Sequence, residues 1–285
     1  MRSHSLRLAA TGLAIGLALT GCSKKDDTVA SDSSTTTTAK DAVTTTTSAG
    51  VVIKDGSGAG GTLVVCSDIP YAPLEFENPD KPGTYTGFDI EMMRFIAAQK
   101  DMSIDVKVTP FDGIIDALRS DSCDVIASAL SIKPERKTSI AFSEPYYDSA
   151  QSLVIRSADN GTIKDLADLK GKVIGVQTGT TGADYANENA KDATIKEFGK
   201  ADELFTALGT EDIDAILQDG PVNAEGVKQN PGYVYLQEFK TGEQYAFGVR
   251  LDDADTLKLV NDGIAAAKSD GTYQKLFDQY LTVAK

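Results

Sequence analysis

From residue 62 to the C-terminus, short β-branched runs alternate with amphipathic segments, the pattern of a largely parallel sheet covered by helices. Thr62-Leu63-Val64-Val65-Cys66 reads as a first strand, reaching residue 67. Gly87-Phe88-Asp89 opens a helix in which Asp89 can cap free N–H groups while Ile90, Met93, Ile96 and Ala97 fall on one apolar face as core. A strand at 104–109, a helix capped by Asp112 and carrying Ile114, Ile115 and Leu118, and a strand at 124–129 complete a βαβαβ unit. A second unit comprises a strand at 173–176, a Gly/Thr loop, a helix through about Asn189, a strand at 194–198, a helix at 201–208 and a strand at 214–218. Two units imply two lobes. The chain then returns through Ala246-Phe247-Gly248-Val249 and ends in helical stretches at 254–268 and 271–281, with no internal repeat.

The first sixty residues follow a different pattern. Arg2 and Arg7 precede an apolar run, Leu8 to Leu19, too short to span a bilayer but fitting the core of a secretory signal. The run ends in Leu19-Thr20-Gly21-Cys22, which resembles the bacterial lipobox. That resemblance implies removal of residues 1–21, a diacylglyceryl group on the Cys22 sulfur, and an exported, lipid-anchored chain. An ordinary signal peptide, cut near small residues, would leave Cys22 a bystander. From Ser23 to Gly61, 15 of 39 residues are Ser or Thr, five are Gly and none is Leu, Phe or Tyr, so residues 22–61 read as a flexible tether with no core. Its threonine runs, 35–38 and 44–47, are candidates for O-linked sugars. Gly56-Ser57-Gly58-Ala59-Gly60-Gly61 matches G-x-G-x-x-G, but a strand follows where a dinucleotide site needs a helix. No Walker-type phosphate loop occurs.

Composition narrows the chemistry. Apolar residues at 41% and charged residues at 25% of 285 are ordinary for a globular protein and exclude wholesale disorder or a coiled coil. Lys plus Arg number 28 against 42 acidic residues, a net −14; losing Arg2 and Arg7 with the signal leaves 26 against 42, or −16. Such a surface repels nucleic-acid phosphate. The single histidine, His4, lies in the removable segment, and the three cysteines form no Cys-x-x-Cys pair. Histidine triads and zinc sites are excluded, and neither metal nor cofactor is expected. Tyr and Phe must supply any aromatic platform, since Trp is absent. Cys66 and Cys123 are an even pair in an exported chain, which permits a disulfide. The register puts Cys66 near one strand's ligand end and Cys123 at another's start, so bonded and free thiols both stay open.

Eight stretches in order carry a resemblance: Asp68-Ile69-Pro70-Tyr71-Ala72-Pro73-Leu74-Glu75-Phe76, Gly87-Phe88-Asp89-Ile90-Glu91, Phe111-Asp112-Gly113-Ile114-Ile115, Ser131 through Lys137, Phe142-Ser143-Glu144-Pro145-Tyr146-Tyr147, Gln177-Thr178-Gly179-Thr180-Thr181-Gly182, Gln218-Asp219-Gly220-Pro221 and Asp270-Gly271-Thr272-Tyr273. Over about residues 62–283 the chain resembles the polar amino-acid solute-binding proteins of ABC importers, family 3. The resemblance implies an α/β, two-lobed periplasmic-binding-protein fold of type II, each lobe a mostly parallel sheet flanked by helices. Two hinge strands would cross near 151–157 and 244–250, making lobe one 62–154 plus 248–285 and lobe two 155–247. It further implies a binding protein without catalysis. This monomer would be lipid-anchored outside the cell membrane of a Gram-positive cell, handing a free amino acid to a permease driven by a cytosolic ATPase.

A zwitterion leaves water only if each end meets an opposite charge. By resemblance Arg136 grips the carboxylate with its planar fork, although charge pattern alone reads it as a surface arginine. Thr178, Thr180 and Thr181 lead into a helix whose N-terminus would hold the same carboxylate, and a simple Thr cap fits equally. Asp219 corresponds to the family's ammonium ligand, where turn chemistry alone gives a turn aspartate before Gly220-Pro221. Ser131 and the Ala129 carbonyl complete the ammonium's bonds. Tyr71 and Phe111 sandwich the ligand side chain, though without the motif they read as core aromatics. Asp68 meets that side chain in relatives that take glutamine or basic amino acids, and would repel an acidic ligand. Gln177 and Gln218 can donate or accept. Lys133, where Ser or Thr is frequent, and Gly220, where a larger residue is common, depart from the family pattern. Two alternatives stand beside this reading: an enzyme of cyclohexadienyl dehydratase type, using a carboxylate with raised pKa as general acid, and a surface sensor lipoprotein.

Overall fold

The computed structural model describes residue 51 and residues 53–282. The signal segment, Cys22 and the threonine runs lie outside the described residues. The chain lays down β1 (Thr62–Ser67), a small hairpin of β2 (Phe76–Glu77) and β3 (Tyr85–Thr86), helix α1 (Phe88–Ala98), β4 (Ser103–Val108), α2 (Ile114–Arg119), β5 (Val125–Ile126), the single turn α3 (Pro134–Lys137) and β6 (Ala141–Phe142). A second sheet follows, with β7 (Tyr147–Arg156), β8 (Val173–Gln177), α4 (Thr181–Asn189), β9 (Thr194–Phe198), α5 (Asp202–Gly209), β10 (Ala215–Asp219), α6 (Gly220–Gln229) and β11 (Tyr233–Tyr245). The chain returns through β12 (Gly248–Val249) to α7 (Ala254–Asp270) and α8 (Thr272–Tyr280). Strand orders are β4-β1-β5-β12-β6 and β11-β7-β10-β8-β9, so the expected two-lobed α/β architecture is the one formed, but each sheet is mixed rather than mostly parallel, with two parallel and two antiparallel pairings.

Burial explains the strand sequences. β1 lies between parallel partners β4 and β5, and β10 is buried at every position, which suits the apolar runs Leu63 to Cys66 and Ala215 to Leu217, whereas Gln218 and Asp219 end β10 as buried polar groups. In α1, Ile90, Met93, Ile96 and Ala97 are buried as their spacing predicts. Asp89, expected to cap this helix, does not: Gly87 occupies that position and Asp89 turns inward, fully buried. Asp112 caps nothing either, because it sits in a 3-10 turn, Phe111–Gly113, ahead of α2.

The first crossing between sheets also differs from expectation. Residues 151–155 pair with β10 on one side and β11 on the other, deep inside the second sheet. The chain leaves the first sheet after Phe142 and regains it at Gly248. These two connections run side by side, Ser143 N–H donating to Phe247 O and Tyr146 N–H to Tyr245 O, each at 2.9 Å. A lobe boundary at 154–155 therefore cuts through β7.

The end of the expected tether is docked. Val51 and Ile53 pack against the first lobe's core, and Arg94 of α1 pairs with Asp55. Asp101 receives Ser57 N–H and Oγ at 2.7 Å each, and its carbonyl takes Gly58 and Gly60 N–H at 3.1 Å. A Cβ on Gly60 would lie 2.0 Å from Lys100 O, so the glycine-rich motif serves close backbone packing. Average composition concealed the two β-branched residues that seat this segment. Cys66 of β1 and Cys123, just ahead of β5, are joined by a disulfide with Cα atoms 5.8 Å apart, as the neighbouring strands permit.

Candidate functional site

The cleft between the sheets gathers groups from strand ends, where open α/β folds place ligands. From the first lobe come Asp68 after β1, Tyr71, Phe111, Ser128 and Ala129 after β5, Ser131, and Arg136 on α3. From the second come Gln177 ending β8, Thr180 and Thr181 at the start of α4, and Asp219 ending β10. The cavity they enclose has about 10 Å³ of free space, room for roughly one water. A wider recess of about 840 Å³, lined by β7, α6 and β11, holds neither Arg136 nor Asp219, so the paired charges single out the smaller one.

Arg136 is only 9% exposed, which rules out a surface role. Its Nη1 donates to Ser131 O at 2.9 Å, its Nη2 to Gly179 O at 3.1 Å, and the guanidinium carbon lies 5.2 Å from the Phe111 ring centre. Burial pulls its pKa down, against the opposing pull of the Asp219 charge. Asp219 accepts Tyr71 OH at 2.8 Å and Gln151 Nε2 at 2.6 Å. Burial first, then the Glu243 charge, push its carboxyl up to about 6. Asp68 accepts Gln177 Nε2 at 2.5 Å across the cleft, and burial raises its pKa. Thr180 caps α4 by accepting Ala183 N–H at 3.1 Å, so the helix presents its positive end to the cavity. At the rim, Lys133 pairs with Asp184 of α4.

Ten of the twelve residues expected to touch a ligand line this cavity; Thr178 and Gln218 do not. Successive strand residues face opposite ways, so Gln177 and Asp219 point in while their neighbours point out. Thr178 Oγ1 donates to Phe198 O at 3.1 Å and Gln218 Nε2 to Asn223 Oδ1 at 2.9 Å. Three site groups escaped the sequence reading. Ser128 lines the cavity, Gln151 holds Asp219, and Glu243 accepts Ser131 Oγ at 2.9 Å while lying 3.2 Å from Gln151 Nε2. Gln151 lies in the polar half of β7, beside Asp148, Ser149 and Ser152, and Glu243 lies amid polar residues of β11, so neither stood out in the sequence.

A family model described as "Bacterial extracellular solute-binding proteins, family 3" matches residues 63–283. L-cystine-binding protein TcyJ of Escherichia coli (strain K12) is 32% identical over 222 residues, 78% of this chain and 83% of that protein. Among solved structures, an ancestral arginine-binding protein bound to arginine superposes with a TM-score of 0.73 at 35% identity, covering 78% of this chain and 99% of its own. The ancestral amino acid-binding protein AncCDT-1, a precursor of cyclohexadienyl dehydratase, gives 0.71 at 32% identity, covering 78% and 96%.

Proposed function

The chain belongs to the bacterial extracellular solute-binding proteins, family 3, and from that premise we propose that its cleft captures a free polar amino acid, glutamine or a basic one. The observation that carries this reading is a single buried cavity holding a guanidinium from one lobe and a carboxylate from the other. The ligand carboxylate takes Arg136 and the N–H groups at the start of α4, beside Thr180 and Thr181. Its ammonium takes Asp219, with Ser131 and the Ala129 carbonyl completing the bonds. Tyr71 and Phe111 flank the side chain, whose far end meets Asp68 and Gln177. Around the cavity the carboxylates Asp68, Asp219 and Glu243 outnumber Arg136, which favours a cationic or amide side chain over an acidic one. With space for one water, the cleft must part to admit a solute, and the solute's two charges reward reclosure by satisfying both lobes.

Delivery follows from the same reading. Residues 1–21 direct export, Cys22 carries the lipid, and the stretch from there to the docked residues near 53 spaces a monomer from the outer face of the cell membrane. The loaded protein passes its cargo to an ABC permease with a cytosolic ATPase and performs no chemistry itself. A thermal-shift screen of the common amino acids tests the reading. Stabilisation by glutamine, arginine or lysine, with the ligand recovered unchanged, is the expected result; a flat screen refutes it. One observation favours a second reading, elimination of water from a bound acid: Asp219, held up to about 6, can give a proton near neutrality. Product in the same screen would select it.

A further inference from the structure

Beneath the cleft, Glu75 and Asp89 are both fully buried, and neither touches a lysine or arginine among the described residues. Their backbones are adjacent, Asp89 N–H donating to Leu74 O at 2.9 Å. Each acid spends one oxygen on the cleft. Glu75 Oε1 accepts Ser128 Oγ at 2.8 Å, and that hydroxyl oxygen accepts the Asp68 N–H at 2.9 Å. Asp89 Oδ2 accepts Ala129 N–H at 2.9 Å and Tyr146 OH at 2.7 Å. Ala129 needs this hold: its φ of 45° lies in the left-handed region that a non-glycine residue occupies only when its surroundings enforce it. The second oxygens, Glu75 Oε2 and Asp89 Oδ1, are buried with no hydrogen-bond partner. Each such orphan is costly, and two adjacent anions in a dry core are costlier.

We propose that Glu75 Oε2 and Asp89 Oδ1 share one proton, and that this acid pair is the positioning unit that holds Ser128, Ala129 and, through Ser128, Asp68 in place for ligand. One proton turns two orphan acceptors into a donor and an acceptor and leaves a single charge where two would repel. The groups facing the pair reinforce this. Asp68 and Asp219 add negative charge toward Glu75, while the Tyr71 and Tyr146 hydroxyls supply no cation. Burial and the Asp89 charge hold Glu75 well above the ordinary carboxyl range, and burial raises Asp89 to about 7.

The ligand-facing part rests on the amino-acid reading, whereas the shared proton is measured without ligand. In neutral D2O, infrared spectra of the full chain should show a protonated-carboxyl stretch that disappears in Glu75→Gln, whose amide can still donate to Asp89. No such band, or a band unchanged in Glu75→Gln, overturns the proposal whatever the protein binds. With L-arginine as the calorimetric probe, Glu75→Leu should weaken binding by about tenfold or more, and Glu75→Gln should restore most of that loss because its carbonyl still accepts from Ser128. Equal affinities for Glu75→Leu and the parent overturn the positioning role. Should Glu75→Leu fail to fold, Asp89→Asn provides the second variant: it too should lose the band while keeping an acceptor for Ala129.

Discussion

Arg136 donates one N–H to the Ser131 carbonyl of its own lobe, which with Phe111 fixes its guanidinium before any carboxylate arrives, while a second N–H reaches the Gly179 carbonyl across the closed cleft. Arg136→Ala and Asp219→Ala should each weaken amino-acid binding by about 2 kcal/mol or more, close to thirtyfold, since each strands a buried ligand charge. Arg136→Lys should recover little, because an ammonium lacks the fork. Unchanged calorimetric titrations in both alanine variants would remove the pair from the site. Asp219 also sets a pH response. Its folded pKa, about 6, lies above the unfolded value, so its contribution to stability is complete below about pH 4 and is lost as pH rises through 6. Binding runs the other way, because an ammonium needs the ionised form. Affinity should fall as pH drops below about 6, and Asp219→Asn should flatten that fall; a parent affinity level across the range would contradict the ammonium assignment. At this scale the motifs made Arg136 and Asp219 legible. Thr178 and Gln218 fall outside the cavity lining because a motif fixes a neighbourhood, whereas strand alternation decides which neighbour faces the cavity.

Elements with one strong period were readable: β1, α1 and the succession β8, α4, β9, α5, β10 all fall where hydrophobic spacing put them. Others were hidden for physical reasons. α6 begins with Gly220-Pro221, which reads as a turn, yet proline suits a helix's first turn because no N–H is needed there. β11 pairs with β7 through register shifts between Tyr235 and Gln237 and between Phe239 and Glu243, so its alternation breaks just where a strand signal is sought. That break also delivers Glu243 to the cleft. α4 offers the test at this scale. The Thr180 hydroxyl accepts Ala183 N–H and donates to Gln177 O at 2.8 Å, tying helix start to strand end. Thr180→Ala should cost about 1 kcal/mol of stability in chemical denaturation and also lower ligand affinity, whereas Thr180→Ser should keep most of both. An affinity unchanged by Thr180→Ala would detach the helix terminus from binding.

At the scale of the molecule, the bonds that span the cleft bear on closure, among them Tyr71 to Asp219, Gln177 to Asp68, Arg136 to the Gly179 carbonyl, and Lys133 to Asp184. The first three lie inside, where solvent cannot screen them and where a solute must compete with or adopt them. The fourth is of another kind. The Lys133 and Asp184 side chains keep 26% and 54% exposure, so salt weakens their attraction and the pair is worth less than about 1 kcal/mol. The pair forms an external clasp between lobes that meet through two adjacent connections, at 143–146 and 245–247. Lys133→Ala should raise Kd less than about fivefold in low salt and leave it almost unchanged at high salt, while the parent's affinity falls toward that of the variant as salt rises. Small-angle scattering of the unliganded variant should register a larger radius of gyration than the parent in low salt only. A tenfold loss that persists at high salt would instead place Lys133 against the ligand itself and move the charge balance of the cleft toward acidic side chains.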